Sequence, residues 1–158
     1  MGMTDPRSIT IPPDAEAVMR AHAEATYPNE ACGALVGRGD GEAAPWVVVT
    51  AEPAPNEFDG GHQNRYLISP AFQAQVEQET LAAGLDVIGF YHSHPDDLAR
   101  PSEFDRSHAW VGYAYRVYSV RAGTAVEGNT FTLDAPGGSF LRVADLAASP
   151  ASPQQSES

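Results

Sequence analysis

The sequence predicts a single mixed α/β domain, and three observations support this fold class. The chain has 158 residues, of which 42% are hydrophobic, a length that suits one hydrophobic core and is short for two. Segments with helical patterning or helix caps alternate along the chain with short apolar segments of strand length. Stretches rich in proline and glycine separate these segments where the chain needs turns.

The first elements are a helix and a hairpin. An alanine-rich amphipathic segment predicts a helix over residues 14–26, with Asp14 suited to capping its first turn and Pro28 ending it. Residues 31–52 are typical of a β-hairpin, because two apolar strands flank the turn sequence RGDGE. Residues 53–63 carry so much Pro, Gly, Asn and Asp that they predict a loop, which we expect at the edge of a cleft.

The middle of the chain predicts a short strand, a helix and a long strand. The sequence RYLI at 65–68 is typical of a short strand. Ser69 at a cap position, Pro70 at the first helical position and Gly84 just past the end then delimit a second helix. The segment DVIGFYHSH, residues 86–94, predicts a continuous apolar strand that ends in two histidines.

The last part of the chain predicts one helix and several strands. After a proline-containing loop, Ser102 caps a helix over the sequence SEFDRSHAW. Further strands are predicted at 115–120 and 129–134, with a turn at 122–128 between them, and a short one at 139–143. We therefore divide the chain into an N-terminal segment at 1–11, one domain at 12–146 and a disordered tail at 147–158.

Composition excludes several classes of protein. The formal charge of -12 repels phosphate backbones, so nucleic acid is not expected as a partner. No apolar run approaches the roughly 20 residues that span a bilayer, and the N-terminus lacks the apolar region of a secretory signal. The single cysteine, Cys32, rules out an internal disulfide. We expect a cytoplasmic protein. All nine basic residues are arginine, which base composition or salt adaptation explains more simply than function does.

A candidate metal site follows from the end of the long strand. His92 and His94 are two residues apart, so their side chains point to the same side of the strand and can reach one metal ion. The helix that begins at Ser102 presents Asp105 from its first turn as a third ligand. Two histidines and one carboxylate leave a tetrahedral position open for water, which is the composition of a catalytic zinc site.

Two further residues complete a hydrolytic site. Glu30 precedes the apolar strand that we expect beside the histidine strand, so its carboxylate is our candidate general base. Ser102 offers a hydroxyl that can stabilise a tetrahedral oxyanion. These roles predict an amide hydrolase.

Alternative interpretations of these residues explain less of the sequence. A zinc nucleobase deaminase requires a Pro-Cys-x-x-Cys pair, which one cysteine cannot supply. Cys32 in an apolar strand is more typical of a packed thiol than of a nucleophile. His108 is a second-sphere candidate with a surface position as the simpler interpretation, and the loop acids Asp96 and Asp97 are more typically solvated. Arg65 and Arg100 are possible contacts for a substrate tail.

Together, Glu30, the sequence His92-Ser93-His94-Pro95, Ser102 and Asp105 resemble the signature of the JAMM (MPN+) metallopeptidase family. The likeness covers roughly residues 12 to 135. It implies a cytidine-deaminase-like three-layer fold in which helices flank a central mixed sheet. It also implies zinc on the two histidines and Asp105, a base at Glu30 and an oxyanion partner at Ser102.

The resemblance also implies a class of substrate. The chain is short, like the compact prokaryotic members, some of which are similar to peptidases of ubiquitin-like sulfur carriers such as the CysO-cysteine peptidase. We therefore expect hydrolysis of the peptide or isopeptide bond after the carrier's C-terminal Gly-Gly. The alternative is a non-catalytic MPN scaffold that binds other proteins. Scaffolds of this kind typically lack one or more ligands, whereas all five residues are present here.

Overall fold

The structure, a computed structural model, describes residues 4–39, 44–58, 60 and 65–146. Seven strands and three helices lie within these residues. The strands are β1 (Thr4–Thr10), β2 (Cys32–Arg38), β3 (Trp46–Ala54), β4 (Asp86–Pro95), β5 (Ala114–Arg121), β6 (Thr124–Leu133) and β7 (Phe140–Leu146). The helices are α1 (Pro13–Thr26), α2 (Pro70–Ala82) and α3 (Glu103–Ser107).

The strands form one mixed sheet that closes into a barrel, in the order β1-β3-β2-β4-β5-β6-β7. The pairs β1–β3, β1–β7 and β4–β5 are parallel, and the other pairs are antiparallel. The predicted mixed α/β class is therefore confirmed. The finer description as a cytidine-deaminase-like three-layer fold stays a prediction.

The closing strand β1 was not predicted from the sequence. Its only buried aliphatic side chain is that of Ile9, so it lacks the alternating pattern that marks a strand. Backbone pairing with both β3 and β7 holds it instead. The Arg7 guanidinium also lies 3.5 Å from the centre of the Trp46 ring. The division at residues 12–146 stays a prediction, and the predicted tail at 147–158 lies outside the described residues.

The two longer helices pack on opposite faces of the central strands. Met19 of α1 packs with Leu35 and Tyr91, whereas Val76 of α2 packs with the cluster that contains Phe90. Neighbouring residues of β4 thus serve different clusters, as the strand period of two requires. None of the helices in the described part of the chain is long and apolar enough to cross a membrane.

Several predicted boundaries differ from the structure. The N-cap residue of α1 is Pro12, which makes no side-chain cap, and Asp14 lies inside the first turn, where its carboxylate accepts from the Ala15 amide at 3.0 Å. Residues 65–68 form no regular strand. Ser69 does cap α2, and its hydroxyl accepts from the Phe72 amide at 3.1 Å. The prediction of a turn over residues 122–128 is wrong in length, because the observed turn is shorter.

The shorter turn and the shorter third helix have physical reasons. Ala122 and Gly123 both have positive φ, at 49° and 89°, which matches the two-residue hairpin turn favoured by sheet twist. β6 therefore begins at Thr124. Helix α3 ends at Ser107, earlier than the sequence SEFDRSHAW predicts, and His108 follows as its C-cap.

Candidate metal centre

The two histidines lie side by side at the C-terminal end of β4. His92 is 1% exposed and His94 is 5% exposed. Their Nε2 atoms are 3.1 Å apart, because residues two apart on a strand point to the same side. The Nδ1 atom of His94 lies 2.9 Å from the Leu98 carbonyl. A carbonyl accepts only, so this Nδ1 carries hydrogen, which leaves Nε2 as the nitrogen that can bind a metal ion.

Asp105 completes a cluster of three close ligand atoms. Its Oδ2 lies 3.0 Å from Nε2 of His92 and 3.1 Å from Nε2 of His94. The first turn of α3 presents it: the Ser102 hydroxyl accepts from the Asp105 amide at 3.1 Å, and Asp105 Oδ2 accepts from the Ser102 amide at 2.8 Å. This reciprocal capping box fixes the carboxylate at the helix start.

Electrostatics keep the Asp105 carboxylate charged. Burial opposes that charge, yet the two imidazoles and the Ser102 amide hold the pKa of Asp105 well below its usual range. Burial lowers the pKa of His92. The pKa of His94 is raised, since hydrogen bonding and attraction from Asp105 outweigh burial. Metal binding needs an anionic carboxylate and neutral imidazoles; the charge on Asp105 and the lowered pKa of His92 favour that state, whereas the raised pKa of His94 opposes it.

The three atoms fit a zinc ion. Ligand bonds of about 2.0–2.1 Å in a tetrahedral site place neighbouring ligand atoms roughly 3.3 Å apart. The observed separations of 3.0 and 3.1 Å are close to that value. Two imidazole nitrogens and one carboxylate oxygen at these separations suit a borderline metal such as zinc. The other ring nitrogen of His92, Nδ1, is buried without a hydrogen-bond partner among the described residues.

Glu30 lies beside this cluster and is 3% exposed. An oxygen of its carboxylate lies within 4.8 Å of a ring nitrogen of both His92 and His94. Its Oε1 has no hydrogen-bond partner among the described residues. Burial raises the pKa of Glu30 to about 8, and His94 only partly opposes this effect.

The carboxylates of Glu30 and Asp105 are thus both candidates for the third ligand beside the two histidines. Glu30 with His92 and His94 forms one compact group, and Asp105 with the same histidines forms another. We favour Asp105 as the ligand because its oxygen is within 3.1 Å of both histidine nitrogens and its low pKa keeps it anionic.

Three residues to which the sequence analysis gave no role of their own support the site. The Ser93 hydroxyl accepts from the Ala31 amide at 2.8 Å and is buried. The Asn56 side chain donates to the Glu30 carbonyl at 3.3 Å. The ring of Tyr66 stacks on that of His92, with centroids 4.5 Å apart. The serine between two histidines was visible in the motif, but no local pattern marks the other two.

Ser102 is exposed and serves as the N-cap of α3. Its hydroxyl accepts a hydrogen bond and keeps its own proton for donation. Glu30 itself helps to line a cleft of about 270 Å³, whose other lining residues include Ala54, Pro55 and Asn56. The described part of the loop predicted at 53–63 therefore does edge a cleft.

The other residues considered from the sequence lie outside the cluster. Cys32 is buried, and burial raises the pKa of its thiol to about 12, as expected for a packed thiol. His108 is exposed and stacks on Phe104. Asp96 is exposed and accepts from the Ala122 amide at 2.9 Å. The Arg65 guanidinium lies 4.2 Å from the Phe104 ring centre.

His22, Asp97 and Arg100 also lie outside the cluster. The Nδ1 atom of His22 lies 2.7 Å from the Tyr91 hydroxyl, and burial lowers the pKa of this histidine. His62 lies outside the described residues. Asp97 and Arg100 are exposed, and the Asp97 carboxylate accepts from the Leu98 amide at 2.7 Å.

Comparison with known proteins agrees with this geometry. The family described as prokaryotic homologs of the JAB domain matches residues 12–134. A protein from Desulfitobacterium hafniense with a known solution structure is 29% identical, with a TM-score of 0.75 over 89% of this chain and 92% of that one. A protein from Salinibacter ruber is 30% identical, with a TM-score of 0.66 over the same shares.

One curated relative is an enzyme by name. The desampylase of Haloferax volcanii is 36% identical over 93 residues, which are 58% of this chain and 63% of the relative. The match therefore spans less than two thirds of that enzyme's length.

Fold and cluster together define a mixed α/β domain with a buried Glu/His/His group that is compatible with a metal site. The chain belongs to the family of prokaryotic homologs of the JAB domain, and the resemblance to the JAMM (MPN+) family is confirmed.

Proposed function

We propose that this protein is a zinc metallopeptidase that hydrolyses the bond after the C-terminal glycines of a ubiquitin-like or sulfur-carrier protein. The observation that carries the proposal is the approach of His92 Nε2, His94 Nε2 and Asp105 Oδ2 to within 3.1 Å of one another, beside the buried Glu30 carboxylate. Two histidines and one carboxylate are typical of catalytic rather than structural zinc sites.

In this proposal His92, His94 and Asp105 hold the metal. Zinc supplies Lewis-acid chemistry there, which acidifies water and polarises a carbonyl. Glu30 removes a proton from the attacking water and delivers it to the leaving amine. Burial raises the pKa of Glu30 to about 8 in the chain without metal, a nearby cation lowers the pKa of a carboxyl group, and a value near neutral pH lets one group serve as both base and acid.

Ser102 acts on the negative charge that develops on the carbonyl oxygen of the substrate. Its hydroxyl, held at the start of α3 by the Asp105 amide, donates a hydrogen bond to the oxyanion of the tetrahedral intermediate. A donor already fixed by the fold stabilises that charge without reorganisation. The cytidine-deaminase-like fold implied by the JAMM resemblance belongs to the same proposal.

The substrate class rests on relatives. The name desampylase suggests an isopeptidase that removes a ubiquitin-like modifier, and we extend that activity to this chain. A Gly-Gly terminus suits the site because residues without side chains can enter a narrow groove. We place the reaction in the cytoplasm, as expected from the sequence.

The test is a cleavage assay with two conjugates of one carrier ending in Gly-Gly. In the first conjugate the carrier is joined to the ε-amine of a lysine peptide, and in the second to the α-amine of a single amino acid. We expect mass spectrometry to show free carrier with intact glycines from at least one conjugate, with loss of the reaction in chelator and recovery with Zn²⁺. If the zinc-loaded protein cleaves neither, the scaffold alternative replaces this proposal.

A further inference from the structure

We propose that Asn56 is a positioning residue for Glu30, an inference that rests on the proposed function of Glu30 as the general base. Asn56 lies two residues beyond the end of β3 and 26 residues from Glu30 in the sequence. It contacts neither histidine in any described hydrogen bond. Its effect on the chemistry would therefore pass through the backbone of Glu30.

The side-chain amide of Asn56 is fully used. Its Nδ2 donates to the carbonyl oxygens of Glu30 at 3.3 Å and Arg65 at 2.9 Å. Its Oδ1 accepts from the backbone amides of Phe58 and Leu67, each at 3.1 Å. An amide has two N–H donors and two lone pairs on its oxygen. All four positions are thus occupied, although the side chain is only partly buried.

These bonds join Glu30 to the segment that contacts a histidine. Tyr66 lies between Arg65 and Leu67, the two residues bonded by Asn56, and its ring stacks on His92. The Glu57 amide also donates to the Leu67 carbonyl at 2.8 Å. Asn56 therefore couples the backbone of the proposed base to the partner of a proposed metal ligand.

The peptide group that follows Glu30 is held at both ends by side chains. Its carbonyl oxygen, on Glu30, accepts from Asn56. Its N–H, on Ala31, donates to the Ser93 hydroxyl at 2.8 Å. Since a peptide group is planar, these two bonds fix the orientation of that plane and so the direction in which the Glu30 side chain leaves the backbone.

This constraint matters because Glu30 has little else to hold its carboxylate. Oε1 has no hydrogen-bond partner among the described residues. The distance from the carboxylate to the histidines is therefore set largely by the backbone. Loss of one of the two bonds to this peptide group should displace the base while leaving His92, His94 and Asp105 in place.

The kinetic test is a double-mutant cycle. Asn56→Asp keeps an oxygen for Phe58 and Leu67 but deletes both donors. We expect unchanged zinc content, a fall of about tenfold in kcat and a change in KM of less than twofold. In the Glu30→Gln background the same change should lower the residual rate less than twofold, because effects that act through one residue are not additive.

Equal loss in both backgrounds would overturn the proposal. Glu57→Gln, in the same loop and exposed, is the matched control and should behave as wild type. If Asn56→Asp does not fold, Asn56→Gln serves instead, since it keeps the amide and moves it by one methylene. We expect Asn56→Gln, too, to lower the residual rate less than twofold in the Glu30→Gln background.

A second measurement does not depend on activity. Amide hydrogen exchange of the full chain should show faster exchange at Ala31 in Asn56→Asp, by about tenfold, with Glu57→Gln unchanged. Unaltered exchange at Ala31 would overturn the positioning role even in a protein that cleaves both conjugates. A protein that cleaves no conjugate but shows the faster exchange would instead overturn the proposed function.

Discussion

The hydroxyl of Ser93 accepts a hydrogen bond of 2.8 Å from the backbone amide of Ala31. The Ser93 amide in turn donates to the Ala31 carbonyl at 3.0 Å. Ser93 lies between the two histidines, and Ala31 directly follows Glu30. The two bonds therefore continue the pairing of β2 with β4 by one residue and bring the Glu30 carboxylate to the edge of the histidine cluster.

Ser93→Ala should lower both stability and turnover. Removal of the hydroxyl leaves the buried Ala31 amide without an acceptor, which costs about 1–3 kcal/mol. We expect a lower melting temperature, normal zinc content and reduced kcat, with Ser93→Thr restoring the melting temperature and kcat in part because it retains a hydroxyl. A melting temperature equal to that of wild type would show that another acceptor replaces Ser93.

Zinc binding should depend on each of the three proposed ligands. We expect roughly one zinc per chain, since the cluster forms a single site. Asp105→Asn and His94→Ala should each lose most of the metal, because three protein ligands are the minimum that catalytic sites use. Asp97→Asn, which changes an exposed acid in the loop between β4 and α3, is the control. Full zinc in either ligand variant by metal analysis would refute the assignment.

Glu30→Gln should separate binding from chemistry. The substitution preserves shape and leaves the three proposed ligands intact, so zinc content should stay near normal. Deletion of the general base should lower kcat by about 10² to 10⁴. The measurement is steady-state cleavage of the carrier conjugate beside metal analysis of the same sample. Wild-type turnover in this variant would remove Glu30 from the mechanism.

The same substitution predicts a pH-dependent gain in stability for protein stripped of metal. Burial raises the pKa of Glu30 from 4.5 to about 8. Between these values the folded chain binds a proton that the unfolded chain does not, so stability falls as the pH rises. Each pKa unit is worth about 1.4 kcal/mol, which makes the total a few kcal/mol.

Glu30→Gln removes this penalty, so its melting temperature should exceed that of wild type by several degrees more at pH 9 than at pH 5. Thermal unfolding in chelator at both pH values measures the difference. Glu57→Gln removes an exposed carboxyl group nearby and is the control for charge alone. If the difference in melting temperature between Glu30→Gln and wild type shrinks as the pH rises, Glu30 is not a buried carboxyl group without a compensating charge.

The proposed substrate gives a further prediction. A carrier whose penultimate glycine is replaced by a bulky residue should not be cleaved, because a narrow groove beside the metal cannot admit a side chain. Replacement of a residue far upstream in the same carrier is the control. Equal rates for the bulky and native termini would exclude a groove that selects glycine.

Some features of the candidate site could be predicted because they are local. The strand period of two places His92 and His94 on one side, and the structure has their Nε2 atoms 3.1 Å apart. Ser102 caps α3, so Asp105 falls in its first turn. Such relations span a few residues, and their geometry follows from the backbone conformation alone.

Errors in the predicted elements also have a common cause. Residues 65–68 have strand composition but form no strand, since the Asn56 side chain takes up backbone groups of Arg65 and Leu67 within the segment. β1 has little strand patterning but pairs on both sides. Strand formation depends on which neighbour is present, and intrinsic preference only biases it.

The sequence by itself determined the family, the mixed α/β class and the residue types that suit a metal. Only the tertiary structure decided how Glu30 meets the histidines, because the hydrogen bond that joins their strands spans 62 positions of the chain. It also decided the stacking of Tyr66 on His92 and the closure of the sheet by β1. Contacts between distant segments depend on strand register and on how helices pack, and these follow from the whole core rather than from any local pattern. Burial is set in the same way, which is why the raised pKa of Glu30 belongs to the fold and not to its sequence neighbours.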